Sequence, residues 1–91
     1  MRIDLHPRFQ KRVGKLSAAE RTHVTDALRA LADGFGRPHL HAGIGIRRLR
    51  KDLFECRAGL ALRIVFLAEK GVLTAYDVMT HDEIQAWLRN A

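Results

Sequence analysis

The pattern of apolar and polar residues predicts that the second half of the chain is a β-meander. Four strand-like segments follow one another there, over residues 44–51, 53–58, 60–69 and 72–79. Turn-forming residues separate them, at Asp52, at Gly59 and at Lys70-Gly71. In the central pair of strands the apolar faces can coincide, and Arg57 and Arg63 then share the opposite face.

The first half of the chain predicts a strand and two helices. Residues 1–6 alternate as a short strand does, and the proline that follows favours a helix start. Apolar residues at helical spacing indicate a first amphipathic helix over residues 7–16. Ser17 followed by Glu20 forms a capping box, in which each side chain bonds a free backbone donor. This box predicts a second helix, which Gly34 ends.

The last segment predicts one more helix. Thr80 and Glu83 repeat the capping box, and the buried stripe of this helix is expected to comprise Ile84, Trp87 and Leu88. The order strand, helix, helix, four strands and short helix predicts a single α+β domain of 91 residues. We expect the helices to pack on one face of an antiparallel meander and to leave the other face open.

Composition adds a prediction about partners. Sixteen Lys and Arg residues stand against ten Asp and Glu residues, which gives a net charge of +6. This surplus suggests a polyanionic partner, either nucleic acid or an acidic protein, although a charge excess can also serve solubility alone. No apolar run approaches the ~20 residues of a membrane span, and the charged N-terminal segment lacks the apolar centre of a signal peptide. We therefore expect a cytoplasmic protein with no membrane partner.

A run of cations lies in the first strand of the meander. Its members are Arg47, Arg48, Arg50 and Lys51. Strict alternation cannot place Ile44, Ile46 and Leu49 on one face, so we expect a bulge near Arg47 and cations on more than one surface. These side chains are candidates for nucleic-acid binding through phosphate contacts. The alternative is that their charge protects an edge strand against aggregation.

Arg57 and Arg63 are more specific candidates. A guanidinium is planar and always charged, binds phosphate through two parallel bonds, and would stabilise the charge of a phosphorane. In the alternative, one of them forms a surface ion pair with Glu55 or Asp52. This alternative is stronger for Arg57, which shares a strand face with Glu55. His81, where the last strand ends, could transfer a proton near neutral pH.

Metal and covalent chemistry are not predicted. His39 and His41 would lie together in an extended segment, but no third or fourth ligand is apparent near them. Cys56 is the single cysteine and is predicted to face the core. No glycine-rich phosphate loop is present, and we expect no cofactor. Tyr76 could stack a base from the sheet or pack as an ordinary strand residue, and Trp87 is predicted to be core.

Two stretches of the meander, "LFECRAG" and "LRIVF", are similar to a known signature, Tyr-x-x-Arg followed by Tyr-Arg-hydrophobic-hydrophobic-Tyr. The segments "HPRFQKRVGKL", "ERTHVTDALRAL" and "THDEIQAWL" extend the likeness over nearly the whole chain. On these residues the chain resembles the RelE/ParE superfamily of toxins from bacterial type II toxin–antitoxin systems.

The resemblance implies a toxin with an antitoxin partner that is typically acidic where it wraps the toxin. In the RelE-like branch, such a toxin cleaves messenger RNA in the ribosomal A site without a metal. The ribose 2′-hydroxyl attacks the adjacent phosphate and leaves a cyclic phosphate. The resemblance further implies that Arg63 contacts the scissile phosphate, that Arg57 is a second arginine of the signature, and that His81 is the acid or base.

Two residues depart from the RelE-like pattern. Glu55 stands where such members have a lysine, and Gln85 where they have a tyrosine. Glu55 could serve as general base, since other members use a glutamate. The ParE-like branch shares the fold and inhibits DNA gyrase, and a degenerate member would only bind its antitoxin. We predict a ribosome-dependent endoribonuclease with Arg63, Arg57, His81 and Glu55 as catalytic residues.

Overall fold

The computed structural model describes residues 2–37 and 43–90, and this part of the chain forms three helices and one five-stranded sheet. The elements in chain order are β1 (Ile3–Leu5), α1 (Pro7–Val13), α2 (Ala18–Gly34), β2 (Arg47–Arg50), β3 (Leu53–Ala58), β4 (Leu62–Glu69), β5 (Val72–Thr80) and α3 (His81–Asn90). The predicted α+β class and element order are confirmed. Both predicted capping boxes form, at Ser17 with Glu20 and at Thr80 with Glu83.

The sheet is mixed, because its first strand runs parallel to its neighbour. The strand order is β1-β5-β4-β3-β2, and β2 to β5 form the predicted antiparallel meander. Strand β1 lies at the far edge beside β5, with Ile3 opposite Leu73. The first and last strands of the described chain are therefore neighbours, which alternation alone did not predict.

The two faces of the sheet are covered by different helices. Helices α1 and α2 pack on one face, where Phe9, Leu31 and Phe66 are fully buried. Helix α3 packs on the opposite face, where Ile84 is fully buried against Val65 and Met79. The expectation that one face is left open is therefore corrected. Because the Thr80 cap turns the chain directly from β5 into α3, the apolar stripe of α3 packs on the face that α1 and α2 leave free.

Several boundaries differ from those predicted. Helix α1 is shorter, ending at Val13, and α2 includes Gly34, with Phe35 as its extended capping residue. Strand β2 begins at Arg47, three residues after the predicted start at residue 44. The reason is local, because Gly45 has a φ of +75°, which interrupts extended backbone just before the strand.

Two register shifts alter the alternation of side chains. The first lies between Arg48 and Arg50 in β2, close to the predicted bulge. The second lies between β4 and β5, where Asp77 faces Val65 and Ala75 faces Phe66. Tyr76 is thus the additional residue of the second bulge, which was not predicted.

Candidate functional site

Arg57 and Arg63 are directly opposite each other on neighbouring strands. Residue Arg57 of β3 pairs with Arg63 of β4, and the prediction that they share a face is confirmed. The flanking core positions Cys56 and Ile64 face α1 and α2, so both arginines belong to the face on which α3 packs. We call the surface formed by Arg47, Glu55, Arg57 and Arg63 the arginine face. Backbone register therefore places the two arginines side by side on neighbouring strands.

Glu55 lies buried beneath this surface. Its side chain is 1% exposed, and its Oε1 lies 3.3 Å from Arg63 Nη1 and 3.5 Å from Arg47 Nε. Its Oε2 has no hydrogen-bond partner among the described residues. A buried carboxylate is costly unless cations accompany it, and the two arginines meet that need. The ion pair with Glu55 that was the alternative for one of the two arginines is formed by Arg63.

The side chain of Arg57 extends in a different direction from that of Arg63. It is exposed, and its side chain passes so close to Gly45 that a Cβ on that glycine would lie 2.6 Å from Arg57 Nε. It also lines a recess of about 300 Å³ with His23 and Asp26 of α2. Arg57 therefore extends past the β2 edge towards α2, whereas Arg63 contacts Glu55 on the arginine face.

His81 is the first residue of α3 and is exposed. It lies two positions after Met79, which is the residue of β5 that pairs with Arg63. The turn into α3 is held by Glu83, which accepts a hydrogen bond from the Thr80 backbone N–H at 2.9 Å. That hydrogen bond, with the nearby Arg12 guanidinium, lowers the pKa of Glu83. The structure thus places His81 at the strand end nearest the Arg63 position, on an ordered helix start.

The four cations of β2 and the following turn do not form one patch. Arg47 contacts Glu55, whereas Arg48 lies over the Phe54 ring at 5.5 Å from its centroid. Arg50 donates to the Leu88 carbonyl at 2.7 Å and so caps the last turn of α3. Lys51 is exposed in the turn before β3. The expectation that these cations occupy different surfaces is confirmed: alternation separates Arg47 from Arg48, and the bulge separates Arg48 from Arg50.

A second charged cluster was missed by the reasoning from sequence. Asp77 of β5 is fully buried and accepts from Arg8 Nε at 2.9 Å, with Arg12 Nε at 3.7 Å. Arg12 also lies 3.5 Å from Glu83, so the cluster joins α1, β5 and the start of α3. Its signal in the sequence was a carboxylate inside an apolar strand, together with two arginines one helical turn apart in α1.

The Tyr76 ring contacts two other rings, stacking on Trp87 and lying tilted to His6. The Tyr76 ring lies 4.9 Å from His6 and 5.9 Å from Trp87, and Arg8 lies over it at 5.5 Å. Tyr76 is therefore an ordinary packing residue in this structure. Trp87 is half-buried, in contrast to the predicted core position, because it lies at the margin of the cluster around Ile84.

Covalent chemistry at the cysteine is disfavoured by burial. Cys56 is fully buried, as predicted, and burial raises the pKa of its thiol to about 12. Residues 2–37 and 43–90 contain no group of three or more side chains that could hold a metal ion. His39 and His41 lie outside the described residues. Within the same ranges, no helix is both long and apolar enough to cross a membrane.

The architecture matches solved toxin structures. RelE from the RelE–RelB complex of Pyrococcus horikoshii superposes with a TM-score of 0.70 at 16% identity, over 87% of this chain and 92% of that chain. The RelB–RelE complex of Methanococcus jannaschii gives 0.70 at 12% identity, over 92% and 96%. A YoeB/ParE toxin from Agrobacterium tumefaciens gives 0.64 at 17% identity, over 89% and 99%.

The chain therefore has the fold of the RelE and YoeB/ParE toxins, and the predicted fold is confirmed. At the level of sequence, no family model matches the chain, and no curated protein matches it.

Proposed function

We propose that this chain is the toxin of a bacterial type II toxin–antitoxin pair and binds a cognate antitoxin. The fold supports this, and the similar structures from P. horikoshii and M. jannaschii are complexes of RelE with RelB. The net charge of +6 suits an antitoxin that is acidic where it contacts the toxin. Its proposed place of action is the cytoplasm.

We further propose that the toxin cleaves messenger RNA on the ribosome. The observation that carries this proposal is the register pairing of Arg57 with Arg63, with His81 at the adjoining strand end. The ribose 2′-oxygen attacks the adjacent phosphorus, and the bond from phosphorus to the 5′-oxygen breaks. The 2′-hydroxyl proton leaves to a base, and a proton is delivered to the 5′-oxygen. The products are a cyclic phosphate and a free 5′-hydroxyl.

Each candidate residue has a role in this proposal. Arg63 stabilises the charge that develops on the phosphate oxygens, and Arg57 orients the phosphate backbone. We assign the proton transfer to His81, which is exposed at the strand end nearest the Arg63 position. Glu55 is buried beneath Arg63, so we assign it a positioning role: it holds the guanidinium towards the face. Arg47 and Lys51 supply contacts with neighbouring phosphates.

The ion pair between Arg63 and Glu55 favours a second candidate, inhibition of DNA gyrase. The pair lies at 3.3 Å and neutralises the guanidinium on which phosphate chemistry depends. In that case the arginine face would bind a protein, and its cations would give association specificity without any chemical step. A degenerate toxin that binds only its antitoxin would use the same surface.

Inducible expression of the wild type and of Arg63→Ala tests these candidates. Growth, translation and gyrase-dependent supercoiling are measured together, and transcript ends are mapped on ribosome-bound messenger RNA. We expect the wild type to halt translation with cleavage in the A site, and Arg63→Ala to lose about 100-fold or more in cleavage rate, as when one oxyanion donor is removed. Arg29→Ala is the control, because it removes the same charge from an exposed position on α2.

The outcomes separate the candidates. Loss of supercoiling with intact translation would replace the ribonuclease by a gyrase inhibitor. Normal growth with both processes intact would leave only antitoxin binding. If Arg63→Ala and Arg29→Ala cleaved equally well, the proposed role of Arg63 would be wrong.

A further inference from the structure

Gly45 lies directly under the side chain of Arg57. A Cβ on this residue would lie 2.6 Å from Arg57 Nε, 3.0 Å from its Cγ and 3.1 Å from its Cζ. The first of these separations is shorter than real Cβ contacts allow. Arg57 therefore rests against the bare backbone of the residue that precedes β2 by two positions.

This contact distinguishes Gly45 from the other glycines with positive φ. Gly36 has a φ of +87° and Gly71 a φ of +77°, and a Cβ at either residue would have nothing within 4 Å. At Gly59 the atoms within reach belong to His23. Gly45 thus combines a positive φ, which favours glycine, with close contact to a candidate functional arginine.

We propose that Gly45 is a positioning residue for Arg57, so that the bare backbone at position 45 sets the direction of the guanidinium. Because Arg57 is exposed, a methyl group at position 45 would displace the arginine while leaving the buried core intact. The activity readout of this inference rests on the proposed function, in which Arg57 orients the phosphate backbone.

The direction that Gly45 gives to the Arg57 side chain determines which charged groups surround the guanidinium. The recess that Arg57 lines also contains Asp26 and His23 of α2, and Gly43 and Gly59 contribute only backbone to its walls. A guanidinium moved away from Gly45 would leave this recess and its neighbouring carboxylate. The expected result is weaker engagement of the phosphate backbone in a fold that is otherwise unchanged.

The test compares Gly45→Ala with Gly71→Ala, which has almost the same φ and no contact. Because the two glycines have nearly the same positive φ, the variants are matched for this source of backbone strain, and an additional effect of Gly45→Ala reports the arginine contact. Cleavage rates are measured for both, for Arg57→Ala and for the double variant Gly45→Ala with Arg57→Ala. We expect Gly45→Ala to lose roughly tenfold in rate, as for one weakened charge-assisted hydrogen bond. Gly71→Ala should stay near wild type, and the double variant should equal Arg57→Ala.

The Nε–Hε signal of Arg57 in a nitrogen-correlated NMR spectrum gives a readout that is independent of activity. This signal should move in Gly45→Ala and stay in place in Gly71→Ala. An unmoved signal would overturn the inference, as would a Gly45→Ala penalty of equal size with and without Arg57. If Arg57→Ala is fully active while the signal moves as expected, the positioning holds and the proposed function of Arg57 fails.

Discussion

Replacing Asp77 by asparagine tests whether the buried carboxylate of β5 holds α1 and α3 against the sheet. Asp77 is fully buried, and its Oδ2 accepts from Arg8 Nε at 2.9 Å. The other oxygen, Oδ1, accepts from the Val78 backbone N–H at 2.8 Å. Asparagine preserves the shape and can keep the bond to Val78, but its amide group then faces two guanidinium groups that it cannot satisfy.

The magnitude follows from the geometry of this bond. A hydrogen bond to a charged group contributes about 1.5–3 kcal/mol. Because the Arg8 side chain is 53% exposed, water screens the pair and the lower end of that range applies. We therefore expect Asp77→Asn to lower the free energy of unfolding by about 1.5 kcal/mol. For a domain of this size, that corresponds to a fall in Tm of roughly 6 to 12 °C.

Asp4→Asn is the matched control for this prediction. Asp4 accepts from Arg2 Nε at the same distance, 2.9 Å, but both side chains are exposed, at 46% and 72%. Thermal and urea unfolding of wild type and both variants, followed by circular dichroism, should show no measurable change for Asp4→Asn. Equal midpoints for Asp77→Asn and Asp4→Asn would refute the reasoning, since burial would then add nothing to the ion pair.

Two further predictions concern the capping boxes and the cysteine. Hydrogen bonds from the Ser17 backbone N–H and hydroxyl lower the pKa of Glu20. The ionised carboxylate therefore stabilises the fold at pH values above the ordinary pKa of 4.5, and this stabilisation is lost as the pH falls through the lowered pKa of the folded protein. In urea unfolding, Glu20→Gln should therefore have a lower free energy of unfolding than wild type at pH 6 and the same value at about pH 3. A difference in free energy that stayed constant with pH would contradict this. Because the pKa of Cys56 is raised to about 12, a thiol-reactive disulfide reagent at pH 8 should label the native protein only through unfolding. Immediate labelling without denaturant would show that the thiol is accessible.

Local chemistry explains what could be predicted from the sequence. The capping boxes depend on residues three positions apart, so both helix starts were predicted from the residues that form them. Alternation along each strand predicted that Arg57 and Arg63 share a face, whereas their direct pairing depends on the loop at residues 59–61, which fixes the register. A bulge near Arg47 was predicted from a conflict between neighbouring apolar residues, and the register shift lies close by, between Arg48 and Arg50.

Long-range packing explains what could not be predicted. The partners Arg8 and Asp77 are 69 positions apart, and no periodicity relates them. Alternation predicted the face on which Glu55 lies but not its burial. The burial depends on Arg47, which the neighbouring strand places beside Glu55. The position of α3 likewise depended on which face the earlier helices had already filled.

The parallel pairing of β1 with β5 sets the order in which the molecule assembles and opens. Ile3 and Leu73 are neighbours although the chain between them is nearly the whole domain, so closing this contact has a large entropic cost. The antiparallel hairpins form between nearby segments and can precede it. Strand β1 is also only three residues long, so its ladder is short. Amide hydrogens at this edge should exchange first, and transient release of β1 would loosen α1 while the meander persists.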